Sequence, residues 1–197
     1  VLMKTSNYSA IVLMVFVICF GFSSMVKAQD EQPKKSPRAT VSQVVGVDTK
    51  VTIDYSRPAM RGRDIYWDVV PNGMEEPNNY SDNKPFPWRA GADQNTTIEF
   101  NSDLEIEGKS VPAGKYSLHM IPSETTWIVI FNKVNDGWGS YKYDQSQDAL
   151  RVTVTPKKVH SVERLTYNFM DLDGYAATAF LHWGDKQVPF KLKVAGK

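Results

Sequence analysis

Three groups of residues in this 197-residue chain carry types suited to chemistry. The first is the run Trp88-Arg89-Ala90-Gly91-Ala92-Asp93, with Asn95 close behind. Arg89 presents a planar fork of donors that fits a carboxylate or phosphate, and Trp88 offers a stacking face. Together they could grip an anionic or sugar-like ligand. The same residues also suit a scaffold: Arg89 paired with Asp93 or Glu99 would pin a loop to a sheet, with Trp88 in the core. A surface ion pair of that kind contributes only about 0–1 kcal/mol. The second group is Trp138, Tyr141, Lys142 and Tyr143, on a glycine-bearing loop. Aromatic rings with polar tips can stack on the apolar face of a sugar and hydrogen-bond at its edge, or fold back as a lid on the core. The third group is the histidines His119, His160 and His182, none of them spaced as a local metal-ligand pair. Strands can still bring distant ligands together, so a site assembled across them stays open at this level.

Several familiar catalytic arrangements do not occur in the sequence. There is no His-Glu-x-x-His and no Gly-x-Ser-x-Gly, and Ser117, beside Tyr116, has no evident base. Gly137-Trp138-Gly139 lacks the third glycine and the following helix of a phosphate-binding loop. The residues therefore point to a non-catalytic module of the cell envelope, binding or structural, with no cofactor or metal. Its ligand, a carbohydrate or small anion, would contact Arg57, Trp88, Arg89, Asp93, His119, Trp138 and Tyr141. The alternative is an envelope hydrolase with a site assembled across strands from His119, Asp93 and Arg57. A third reading is a purely structural subunit joined to its partners through an exposed edge strand.

Export is read from the first 28 residues. Lys4 precedes an almost unbroken apolar run over residues 10–22, and Val26-Lys27-Ala28 places small residues where a signal peptidase cuts. The run is shorter than the roughly 20 residues of a membrane span, which favours cleavage after Ala28 over a retained anchor. Of the 23 Lys and Arg residues, Lys4 and Lys27 lie in this leader, leaving 21 against 22 acids. That balance gives no support to nucleic acid or an anionic membrane as a partner. The single cysteine, Cys19, lies in the leader, so the exported chain would have neither disulfides nor thiolate ligands. Residues 29–38 read as a flexible leader, and residues 39–197 as one β-sandwich domain.

The elements that must position the candidate residues are strands. Val51, Ile53 and Tyr55 alternate with Thr52, Asp54 and Ser56, and the same period of two marks Thr96 to Asn101, Tyr116 to Ile121, Leu150 to Thr155 and Arg164 to Phe169. Trp127-Ile128-Val129-Ile130-Phe131 is apolar on both faces, which predicts a strand in the middle of the architecture. Asp173-Gly174 predicts a hairpin, and Gly184-Asp185-Lys186 a further turn into a separate strand from Val188. Residues 71–87, with four prolines and four asparagines, read as a mobile surface loop. About ten short strands without a sustained helical period predict an all-β fold: a jelly-roll-like antiparallel β-sandwich, with a closed β-barrel as second choice.

Several linked stretches resemble a known family. They are Ser56-Arg57-Pro58, Trp88-Arg89-Ala90-Gly91-Ala92, Thr97-Ile98-Glu99-Phe100, Pro112-Ala113-Gly114-Lys115-Tyr116-Ser117-Leu118, Ile121-Pro122, Trp127-Ile128-Val129-Ile130-Phe131-Asn132-Lys133, Trp138-Gly139 and Leu150-Arg151-Val152. Together they resemble domain of unknown function 2911, over roughly residues 36–194. The resemblance implies an exported β-rich domain of a Gram-negative bacterium, secreted or periplasmic, and implies no activity. The loop before Trp88 is longer here than the short connection usual in that family.

Overall fold

The computed structural model describes residues 32–197, and the proposed signal segment and Cys19 lie outside them. Ten strands follow in order: β1 (Arg38–Val45), β2 (Thr49–Ser56), β3 (Thr96–Phe100), β4 (Leu104–Ile106), β5 (Lys109–Val111), β6 (Gly114–Ile121), β7 (Trp127–Asn132), β8 (Asp148–Val154), β9 (Lys157–Asp173) and β10 (Ala176–Val194). They form a six-stranded sheet, β1-β2-β3-β6-β7-β8, and a four-stranded sheet, β5-β4-β10-β9, antiparallel throughout. The protein is a two-layered all-β sandwich, and no barrel closes. Its connectivity is simpler than a jelly roll's. The larger sheet is an up-and-down meander, interrupted once where the β4–β5 hairpin leaves to start the second layer.

Alternation explains the layering. Val51, Ile53, Tyr55, Ile98, Phe100, Tyr116, Leu118 and Met120 are buried on the inner face of the large sheet. They meet Leu165, Tyr167, Leu181, Trp183, Phe190 and Leu192 of the smaller one in a single hydrophobic cluster. Aromatic contacts cross between the layers: Phe131 meets Phe190 edge-on at 5.9 Å, and Tyr55 meets Tyr167 at 4.9 Å. Trp88 lies parallel to Trp183 at 6.4 Å and edge-on to Trp127 at 6.1 Å. Its backbone pairs with Met120 in both directions, so it extends the core at one end. Arg57 ties the layers together from the end of β2, donating to the Leu165 carbonyl at 3.1 Å and to Thr166 Oγ1 at 2.8 Å.

Two expectations about strands are corrected. The turn expected at Gly184 is a bulge within β10, which runs 19 residues without reversing, and its partner β9 runs 17. The inward apolar positions explain why. Ala177, Ala179, Leu181 and Trp183 are odd-numbered, whereas Val188, Phe190, Leu192 and Val194 are even. One extra residue must therefore be absorbed for both sets to face the same core. Gly184 absorbs it at φ +54°, with register shifts on either side. The strand expected in the middle, β7, is second from the edge of its sheet. Its outer face is apolar because a loop covers it, burying Ile130 completely.

The polar loops are also held. Residues 71–87 are closed by a reciprocal Glu75–Phe86 backbone pair, and Asn78 and Ser81 cap a single 3-10 turn, Asn79–Ser81. Before β1, Lys35 accepts from Arg61 and Arg164, and Pro37 accepts from the Arg57 amide.

Gly184→Ala should lower unfolding stability by about 1–2 kcal/mol. The new methyl would sit in the left-handed region, and its carbon would lie 3.1 Å from Ile65 Cδ1. Urea denaturation measures this, and an unchanged midpoint would mean that the bulge is not a constraint.

Candidate functional site

The outer face of the six-stranded sheet carries one polar residue from each strand in a continuous row: Thr40, Asp54, Thr97, Ser117, Asn132 and Asp148. A second row crosses β6, β7 and β8 as His119, Ile130 and Arg151. At the β1 end the row is open to solvent. At the β8 end residues 133–147 fold over it, and their base is closed by the Lys133 amide donating to the Gln147 carbonyl at 3.0 Å. Ser117, His119 and Asn132 are consequently buried, at 0%, 3% and 1% exposure, although they lie on the face opposite the core.

Burying polar groups requires partners, and the loop supplies them. The Ser117 hydroxyl donates to the Val134 carbonyl at 2.7 Å. Its oxygen then receives His119 Nε2–H at 2.8 Å, which leaves Nδ1 to accept from the Ser140 hydroxyl at 2.6 Å. Asn132 gives both amide protons, to the Asp144 carbonyl and to Asp148 Oδ1, each at 2.8 Å, and accepts from the Val134 amide at 3.0 Å. Asp148 Oδ2 takes Tyr143 and Arg151 Nε, both at 2.6 Å. On the far side Asn95 donates to the Gly139 carbonyl and accepts from the Gly137 amide, gripping the loop tip. Burial pulls the His119 imidazole down to about 4; Asp148 opposes this and Arg89 adds to it. Burial together with the Asp148 hydrogen bond pushes the Tyr143 phenol up.

Between loop and sheet lies a cavity of about 590 Å³. Asn95, His119 and Asn132 form its floor, and Tyr80, Trp138, Tyr141 and Tyr143 its walls. Trp138 and Tyr80 are 58% and 72% exposed, large aromatic groups held at the mouth rather than in the core. Tyr141 is fixed by its neighbours: Phe86 edge-on at 5.2 Å, Tyr80 at 5.5 Å and the Arg89 guanidinium over its ring at 4.8 Å. Arg89 also lies flat against Gly139, where a Cβ would be 2.5 Å from Cζ, so only glycine fits that approach.

Of the residues singled out by sequence, the structure brings Asn95, His119, Trp138, Tyr141, Lys142 and Tyr143 to this cavity, with Arg89 just behind the Tyr141 wall. Arg89 reaches the Asp93 backbone carbonyl at 3.4 Å and faces a neighbouring cleft of about 380 Å³ with Trp67 and Glu75. Asp93, at φ +60°, lines a different small cleft with Lys34 and Arg38. Trp88 is buried in the core and Arg57 is bound to β9, so Arg57, Asp93 and His119 do not converge. His160 and His182 approach edge-on at 5.0 Å on the other sheet. Among the described residues no three His, Cys, Asp or Glu side chains group as metal ligands.

Ser117 has no base evident from sequence, yet His119 lies two residues along the same strand face, where a period of two places it. Asn132, Ser140, Asp148 and Arg151 were also missed. A bulge beside Ala149 puts Asp148 and Arg151 on one face despite their odd spacing, and no sequence signal marks it. Ser117 and Ser140 are 0% and 1% exposed, and the third group of the relay is a hydroxyl, not a carboxylate. As it stands, the relay fastens the loop to the sheet.

Fold and site together define a class: a two-layered β-sandwich whose polar face is roofed by a clamped loop over an aromatic-walled cavity. The chain belongs to the family described as protein of unknown function (DUF2911), which matches residues 36–192. Searches of curated proteins and of solved structures returned no match. No helix among the described residues is long and apolar enough to cross a membrane.

The titration of His119 predicts an acid-sensitive clamp. Its folded value, about 4, lies below the unfolded 6.5, so the unfolded chain binds the extra proton first. Stability should fall as pH drops from 6.5 toward 4, by about 2–3 kcal/mol over the window. Glu75, raised by burial, acts in the opposite sense and loses its contribution as pH rises. Urea titrations of wild type and His119→Gln between pH 7.5 and 4 separate the two, and the variant should show the flatter profile. Equal slopes would mean that His119 is not buried neutral.

Proposed function

We propose that this chain is exported to the cell envelope, in the periplasm or beyond it, and serves there as a non-catalytic ligand-binding module. Its ligand occupies the cavity between residues 133–147 and the six-stranded sheet. One observation carries the reading: Trp138 and Tyr80 stand exposed at the mouth of a preformed cavity whose roof is tied down by buried hydrogen bonds. Large aromatic groups held in the open on a rigid scaffold favour recognition over stability. The walls, mostly ring faces and backbone, offer little by which to activate water or a nucleophile. Carbohydrates and small anions are the two ligand classes to be tested.

A second reading, an envelope hydrolase, draws on the 2.6 Å contact between Ser140 and His119 Nδ1. It requires the loop to lift, since Ser140 is covered and the imidazole is a weak base near neutral pH.

Titration of a glycan and small-anion library, followed by tryptophan fluorescence and thermal shift, tests the leading reading. Trp138→Ala should weaken binding roughly 10- to 100-fold, in line with removal of one well-packed ring. Binding indifferent to Trp138→Ala would remove the proposed site. Turnover of an ester panel abolished by Ser140→Ala would install the hydrolase in its place.

A further inference from the structure

The hydrogen bonds already formed at the floor narrow what the cavity can take. The Asn95 amide is engaged at both its oxygen and its nitrogen, and Asn132 has spent both amide protons and its oxygen. His119 uses both ring nitrogens, Ser117 and Ser140 face that ring, and the Tyr143 phenol lies between Asp148 and Arg151. Among the described residues no buried side-chain nitrogen or oxygen lacks a partner. Each buried polar side-chain atom of the floor is therefore already partnered, which leaves a ligand the second Asn95 N–H and spare oxygen lone pairs, and no unmatched buried charge.

Charge is accounted for in the same way. The Asp148 carboxylate is matched by Arg151 Nε at 2.6 Å, and Lys142 at the mouth is matched by Asp82 at 2.6 Å. Arg89 lies behind Tyr141 and faces the adjoining cleft. A charged ligand reaching the floor would give up its hydration without a compensating buried partner, since the one cation lining the cavity, Lys142, lies exposed at the mouth beside Asp82. What the cavity does offer is ring faces from Tyr80, Trp138 and Tyr141, together with the Val134 side chain. Among these lining residues the Trp138 indole N–H and the phenols of Tyr80 and Tyr141 have no hydrogen-bond partner among the described residues. A ligand with a flat C–H face and neutral hydroxyls around its rim satisfies both sets. A wholly apolar one would leave these three groups dehydrated and unpaired.

We infer that the cavity binds an uncharged sugar ring of a neutral glycan, recognised by stacking on Trp138 and hydrogen bonding at the aromatic edge. This rests on the cavity being the ligand site, and the experiment separates the two claims. The mature protein is titrated calorimetrically with neutral hexose and N-acetylhexosamine oligosaccharides, with uronic-acid oligosaccharides, with inorganic phosphate and with a medium-chain fatty acid, at low and at high sodium chloride. The expected result is binding of a neutral oligosaccharide with Kd changing less than twofold across the salt range. Trp138→Phe should retain that binding and Trp138→Ala should weaken it at least tenfold, with urea midpoints of both variants confirming that they fold. Preference for the uronic-acid oligosaccharides or phosphate, lost at high salt, would overturn the neutral-sugar inference while leaving the cavity as the site. Preference for the fatty acid would do the same. Failure of every probe to bind the folded protein would overturn both.

Discussion

The constraint on which the structure depends is that Ser117, His119 and Asn132, polar side chains beneath residues 133–147, are buried on the face of the large sheet that points away from the core. Strand alternation puts them there, because Tyr116, Leu118, Val129 and Phe131 must point inward. A sheet with one wet face would leave them in water. Here residues 133–147 displace that water and must replace each of its hydrogen bonds. Leaving one buried polar group unmatched costs about 1–3 kcal/mol, so the contacts succeed or fail as a set. Asn95 at one side, His119 in the middle and Asp148 at the other give the loop three separate points of attachment.

The cavity follows from that arrangement. A loop tied at three points and closed at its base cannot collapse onto the sheet between them, and aromatic side chains prop the remaining space. Arg89 shows how the scaffold and the loop share the work. Its guanidinium packs between the Tyr141 ring and the Gly139 backbone, so a residue from the segment before β3 sets the position of the cavity wall. The core supports this from beneath. Trp88, one residue earlier, is clamped to Met120 by two backbone hydrogen bonds and stacked on Trp183. The Trp88-Arg89 pair thus links core packing to the geometry of the site.

Much of the fold was legible in the sequence because alternation is a direct consequence of burying one face. The inner-face residues Val51, Ile53, Tyr55, Tyr116, Leu118 and Met120 could be read from period two alone, and the hairpin at Gly174 from its Asp-Gly turn residues. The bulge at Gly184 was legible only to a parity count: turn-like residues marked the place, and the shift from odd to even apolar positions distinguished a bulge from a reversal. The site was less legible. Trp138, Tyr141 and His119 declared themselves by type. Asn95 was noted beside Trp88 and Arg89, but its grip on Gly137 and Gly139, forty-two and forty-four residues away, was not foreseeable. The apolar outer face of β7 was itself a sign that something covers the sheet, although it read as central placement.

Native-state hydrogen exchange tests the central claim most directly, since it reports whether the loop is fastened or merely resting on the sheet. The account predicts that the Gly137 and Val134 amides, both donating to asparagine side chains, exchange far more slowly than exposed amides. It also predicts that Asn95→Ala releases Gly137 without releasing the amides of β6. Exchange of both loop amides at the rate of unstructured peptide in the wild-type protein, while β6 stays protected, would contradict it.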